Sequence, residues 1–176
     1  ATWEHGVWRS SDSAKTFKRI DGGKVSAKGC GPFGGNGAHI SPEGKGMAVF
    51  NMNNNPGPSG YSIDDGKTWS ERKNISVMVK KPEWRWYATG PCSGIQIQSG
   101  KYKGRLVVPA NHSYHGSDVK RWEYRCHSLY SDDHGKTWEI GQSSSVGASE
   151  TQIAEADEDL LIQDIRMQTH KKGVRA

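Results

Sequence analysis

At 176 residues and a mean hydropathy of −0.81, the chain has the length of one domain and no apolar run near the ~20 residues of a membrane span. The formal net charge is +5, but Lys and Arg are scattered; this excludes the basic stripe of a nucleic-acid-binding domain and leaves a mild positive field suited to a small anionic ligand. Twenty-two glycines and seven tryptophans predict many turns around a few large aromatics, the composition of an all-β protein.

In chain order, Val7–Ser10 and Phe17–Ile20 read as short strands around a turn. Residues 29–37 are so rich in Gly that they read as a loop, followed by a short strand at Ala38–Ile40 and a clearer one at Met47–Met52. Asn53–Gly60 reads as a polar Pro/Gly loop, with Tyr61-Ser62 re-entering a strand. Strands are expected at Ile75–Val79, Trp84–Gly90, Ile95–Gln98, Arg105–Ala110 and Tyr124–Tyr130, with a loop over Asn111–Lys120. Ile153–Ala156 and Leu160–Ile165 flank the turn Asp157-Glu158-Asp159 and read as a hairpin. No segment has a helical period.

One pattern, Ser-x-Asp-x-Gly-x-Thr-Trp (an Asp box), recurs. It is complete at Ser62, Asp64, Gly66, Thr68 and Trp69, and again at Ser131, Asp133, Gly135, Thr137 and Trp138. A weaker copy has Ser10, Asp12, Thr16 and Phe17, with Ala14 in place of Gly. Asp12 and Asp64 are 52 residues apart, Asp64 and Asp133 69 apart. Each interval holds about four predicted strands, the content of one propeller blade. Blades are expected at about 1–25, 26–78 and 79–145, with 146–176 starting the next. A turn of this sequence can join two antiparallel strands: the Asp carboxylate accepts backbone N–H groups, Gly supplies a positive φ, and Trp packs between sheets. Asp64, Asp65, Asp132 and Asp133 are therefore read as fold residues.

The three cysteines, Cys30, Cys92 and Cys126, have no metal-ligand spacing, so neither a metal nor another cofactor is expected. An odd count leaves at least one thiol free or paired between chains. Asn74-Ile75-Ser76 and Asn111-His112-Ser113 are glycosylation sequons. No basic-then-apolar signal peptide is read at Ala1.

The run Trp86–Pro91, Gly94-Ile95-Gln96, Gly104–Pro109, the box Ser131–Trp138, Glu150 and Leu160–Arg166 resembles, in that order, the exo-α-sialidases (neuraminidases). The match is specific over residues 60–166; residues 1–59 are similar to Asp-box propellers in general. The resemblance implies a six-bladed β-propeller, with about three blades in this chain. It also implies an enzyme that removes terminal sialic acid from glycoproteins, glycolipids or oligosaccharides with retention of configuration, an exception to the two-carboxylate scheme. Glu150 falls at the family's Glu that activates a Tyr nucleophile, and Arg166 at the second of three arginines that hold the substrate carboxylate. A neutral Tyr suits this chemistry because an anionic nucleophile would be repelled by the substrate's own carboxylate. The family's first arginine and acid Asp precede the first box, and its Tyr and third arginine follow Arg166. None of the six tyrosines lies after Glu150. The catalytic set within these residues is incomplete, and the isolated chain is expected to be inactive. By resemblance the compartment is secreted, lysosomal or membrane-associated.

Three other readings stand beside this one. A non-catalytic Asp-box module would bind glycan or protein, and a recombined half-propeller would close its ring by homodimerisation. A glucan-cleaving propeller would need a carboxylate pair facing a groove; Asp118, Asp157, Glu158 and Asp159 are loop acids, but no spacing singles out a pair.

Overall fold

The computed structural model describes residues 8–19, 35–40, 47–53, 55–56, 58–62, 68, 70–71, 73–90, 94–114 and 123–167. They form strands β1 (Trp8–Arg9), β2 (Lys18–Arg19), β3 (Gly35–Ile40), β4 (Met47–Asn53), β5 (Asn55–Pro56), β6 (Pro58–Ser62) and β7 (Lys73–Asn74). One helical turn, α1 (Ser76–Val79), precedes β8 (Trp84–Thr89), β9 (Ile95–Gln96), β10 (Leu106–Tyr114), β11 (Glu123–Ser131), β12 (Glu139–Ile140), β13 (Ala148–Asp157) and β14 (Leu160–Met167). The fold is all-β. One sheet has the order β3-β4-β6-β7 and another β12-β11-β10-β8, while β1-β2 and β13-β14 form separate two-stranded sheets. All these pairs are antiparallel.

The four-strand meander from β8 to β12 is the structural centre. Its strand β10 is buried along almost its whole length, because each face of the sheet has a cover. On one face Val108, Ala110 and Leu129 pack with Trp84, Tyr87, Ile75, Val79 and Trp138. On the other, Val107 packs with Ile97 and Ile153. A strand covered on both sides reads as a continuous apolar run rather than an alternation, which is why Leu106–Ala110 stands out in the sequence.

Several segments differ from the sequence reading. Ile75–Val79 is not a strand: the Ile75 carbonyl accepts the N–H groups of Met78 and Val79 at 2.9 and 3.2 Å. This turn buries Ile75 and Val79 and leaves Val77 92% exposed, the i, i+4 spacing of a helix rather than the period of a strand. Asn111–Tyr114 is not loop but the end of β10, paired with β11 through Asn111↔Cys126 and Tyr114↔Glu123. Its polar side chains are buried and find partners: Trp86 Nε1 donates to Asn111 Oδ1 at 3.1 Å, and Ser113 Oγ accepts from the Trp86 amide at 3.2 Å. Asn111, only 3% exposed, is thus a poor glycosylation acceptor. Gly35–Gly37 joins β3 rather than a loop, held by the ladder to β4. The expected loop at 53–60 contains β5 and most of β6, both paired with β4. Ile97 and Gln98 leave the strand after β9, and the Ile97 amide donates to the Arg105 carbonyl.

The two Asp-box turns among the described residues share one hydrogen-bond scheme. In the copy joining β11 to β12, Asp133 accepts from the Thr137 amide at 2.9 Å and hydroxyl at 2.6 Å, while Ser131 Oγ accepts from the Gly135 amide at 2.8 Å. Asp12 does the same to Thr16 at 2.9 and 2.6 Å, and Ser10 Oγ accepts from the Ala14 amide at 2.8 Å. Ala14 holds φ 68° where the complete box has Gly135 at φ 83°, a left-handed conformation that costs Ala more than Gly. The Thr hydroxyl and amide hold Asp12 and Asp133 down at about 2. Of the copy at 62–69, Ser62 ends β6, whereas Asp64, Gly66 and Trp69 lie outside the described residues.

Trp138 is 5% exposed and Phe17 58%, although both end a box. Trp138→Ala should therefore destabilise the chain by about 3–5 kcal/mol, and Phe17→Ala by no more than about 0.5 kcal/mol. Urea melts of the two variants check this; equal losses would contradict it.

A buried polar chain lies within the first core face. Trp84 stacks on His112 with centroids 3.6 Å apart, His112 Nδ1 lies 2.9 Å from His127 Nδ1, and His127 Nε2 lies 3.2 Å from the Tyr87 hydroxyl. The facing Nδ1 atoms can hold one proton between them, not two. Burial, with Lys81 and Arg125 as neighbouring cations, keeps His112 at about 4, and burial beside His112 and Lys81 also lowers His127. Both folded values lie below the ordinary 6.5, so the unfolded chain takes up protons that the native chain excludes. The stability they provide is complete above pH 6.5 and is lost as pH falls towards 4, by on the order of 3 kcal/mol for each imidazole. Urea midpoints from pH 7 to 4 should fall, and His127→Gln should flatten the fall between pH 6.5 and 5; an unchanged slope would contradict this account.

Candidate functional site

The hairpin of β13 and β14 lies across the second core face. Thr151 and Ile153 point into it, whereas Gln152 and Ala154 face outward. Glu150 and Arg166, sixteen residues apart in sequence, meet on the exposed side, where Arg166 Nη1 donates to Glu150 Oε2 at 2.8 Å. Their side chains are 48% and 46% exposed. An ion pair in that setting contributes only about 0–1 kcal/mol, so an incoming anion can displace it at small cost.

The pair sits at an irregularity. From Thr151↔Ile165 to Glu155↔Leu161 the register is regular; it then shifts, and Ala148 pairs with Met167. Ser149 and Glu150 together oppose Arg166, a β-bulge, which redirects side chains and breaks the ladder locally. The carbonyl of Ser149 faces the Cys126 thiol. Burial pushes that thiol up to about 12, which makes Cys126 an inert donor rather than a nucleophile.

The opposite end of the hairpin is about 20 Å away, counting strand rise from Glu150 to Asp157. There Glu155 accepts from the amides of Gln98 and Ser99 at 2.7 and 3.0 Å and from the Ser99 hydroxyl at 2.6 Å, while Asp159 accepts from the Lys101 amide at 2.9 Å. A cleft of about 240 Å³ opens beside them, lined by Tyr102, Arg105, Tyr130 and Leu160 among others. Arg105 holds Asp132 through two hydrogen bonds of 2.7 Å and lies over the rings of Tyr102 and Tyr130 at 4.1 and 4.4 Å. Asp132 and Asp133 are both engaged in this end of the molecule, together with the box residues Ser131, Gly135 and Thr137. The acids Asp157, Glu158 and Asp159 form the hairpin tip, and Asp118 lies outside the described residues.

Among the described residues, no group of three or more His, Cys, Asp or Glu could hold a metal ion, and no helix is long and apolar enough to cross a membrane. The residues that sequence reading missed are those that fix Glu150: Gly90, Cys126 and Thr151. No motif assigns them this place, because the bonds of the Thr151 amide and hydroxyl and of the Cys126 thiol form only when the strands pack together.

Antiparallel four-strand sheets, one of them with an Asp-box turn between its last two strands, β11 and β12, have the architecture of an Asp-box β-propeller. The model of the BNR repeat-like domain matches residues 38–175, and the chain belongs to that family, within the propellers of the sialidase type. It is 34% identical over 115 residues to a sialidase of Bacteroides fragilis, an alignment covering 65% of this chain and 19% of that protein. It is 42% identical over 91 residues to human Sialidase-3, covering 47% of this chain and 20% of that protein. The solved structure of the Hadza microbial sialidase Hz136 superposes with a TM-score of 0.71 at 24% identity, over 96% of this chain and 36% of that one. The chain thus spans about a fifth of the length of these curated relatives.

Because the Glu150–Arg166 pair is exposed, Glu150→Ala should lower stability by less than about 1 kcal/mol. A thermal melt checks this; a loss of several kcal/mol would make Glu150 a structural residue.

Proposed function

We propose that the chain is part of a sialidase-like glycoside hydrolase acting on terminal sialic acid. The observation that carries the reading is the meeting of Glu150 and Arg166 at 2.8 Å on the exposed face of a bulged hairpin, in a chain whose relatives are sialidases. Arg166 binds the substrate carboxylate; the hydrogen bond to Glu150 uses Nη1, and a planar guanidinium suits a carboxylate better than an ammonium would. Glu150, released from that bond, takes the proton of a tyrosine supplied from outside these residues. The phenolate oxygen then attacks the anomeric carbon as the glycosidic C–O bond breaks, an acid protonates the leaving oxygen, and water hydrolyses the tyrosyl–sugar bond, giving net retention. Substrates are sialylated glycoproteins, glycolipids or oligosaccharides.

The strand order supports a division in which β3-β4-β6-β7 and β8-β10-β11-β12 are two blades, β1-β2 is the outer half of a preceding one, and β13-β14 the inner half of a following one. Further blades then come from more chain or from a second copy. A solution mass of twice 19.4 kDa would support the second copy.

On this reading the nucleophile and the acid come from outside these residues, so the purified 176-residue monomer should not turn over a fluorogenic sialoside. It should bind N-acetylneuraminate weakly, and Arg166→Ala should reduce that binding at least ~10-fold. Turnover by the monomer would mean that the nucleophile lies within the chain. Binding unchanged by Arg166→Ala would favour a non-catalytic module that uses another surface.

A further inference from the structure

The β13–β14 ladder does not by itself fix the segment that carries Glu150. At the bulge, Ser149 and Glu150 oppose a single residue, and the backbone groups around them turn to partners elsewhere. The Thr151 amide donates across to the Gly90 carbonyl, at the end of β8, at 3.1 Å. The Ser149 carbonyl is met by the Cys126 thiol of β11. The Thr151 hydroxyl donates to the Asp164 carbonyl of β14 at 2.9 Å. Thr151 is 3% exposed, so water competes little for these bonds, and a buried bond lost is costly. Gly90 is itself fixed, with φ 69° and its amide donating to the Pro109 carbonyl at 2.8 Å.

We infer that Thr151 is a positioning residue for the Glu150–Arg166 pair. It ties the bulge to the β8–β12 sheet through its amide and to the strand carrying Arg166 through its hydroxyl. The two ends of the ion pair are thereby referred to one residue, and Cys126 restrains the bulge from the other side of Glu150. The inference rests on the assignment of the pair as the ligand site, but the geometry it concerns can be read without any ligand.

The test uses the chain with ¹⁵N-labelled arginine. In the wild type, Glu150→Gln should shift the Arg166 guanidinium resonance. The same substitution should shift it on a Thr151→Ser background, which keeps the hydroxyl, and should have no effect on Thr151→Val, which keeps the shape and loses it. N-acetylneuraminate affinity should fall ~5-fold in Thr151→Val and change less than ~2-fold in Thr151→Ser. If Thr151→Val fails to fold, Cys126→Ala replaces it with the same expected loss of the Arg166 response. A response retained in a folded Thr151→Val, or in Cys126→Ala where Thr151→Val does not fold, or absent in the wild type, overturns the inference. A response that behaves as described in a chain that binds no N-acetylneuraminate supports the positioning role and overturns the ligand assignment.

Discussion

The fold depends on covering both faces of one sheet. β10 has apolar side chains on each side, and neither set can stay in water: Val108 and Ala110 go to Trp84, Tyr87 and Trp138, while Val107 goes to Ile97 and Ile153. A four-stranded sheet with two apolar faces needs a neighbour on each, and each neighbour has the same need. Repetition of the Asp box along the chain follows from this, since a repeated unit stacks on copies of itself until a ring closes.

That packing separates two kinds of chemistry by the length of a strand. At one end, carboxylates serve the backbone: Asp133 closes its turn, Glu155 clasps the Gln98-Ser99 backbone, and Asp132 is tied to Arg105. These acids are occupied and contribute rigidity. At the other end, Glu150 and Arg166 meet in solvent across a bulge, held through main-chain bonds to the sheet beneath. The pair contributes little to stability and stays available to a ligand, the property a binding site requires.

The legible part of the sequence was whatever is local. Asp-box turns declare themselves because every group in them lies within eight residues, and the hairpin around Asp157–Asp159 is marked by its turn. The apolar run at Leu106–Ala110 announced a strand buried on both sides. Reading failed where packing across the sheet decides. Asn111–Tyr114 is polar and followed by Gly and Asp, yet Trp86 gives Asn111 and Ser113 their partners and draws them into β10. Ile75–Val79 has the β-branched content of a strand, but the core takes Ile75 and Val79 with Met78 against them and leaves Val77 in solvent, so the segment turns helical. Of the candidate site, Glu150 and Arg166 are singled out in the sequence by resemblance. The bulge between them, and the roles of Gly90, Cys126 and Thr151, depend on a one-residue slip in register that no local pattern encodes.

The central claim is that the ligand site is the Glu150–Arg166 end of the hairpin rather than the cleft at Arg105. Its most direct measurement is an NMR titration with N-acetylneuraminate that follows the two arginine side chains separately. The account predicts saturable shifts at the Arg166 guanidinium and none at Arg105. Shifts at Arg105 with Arg166 unmoved would contradict it and place the site at the Asp-box end.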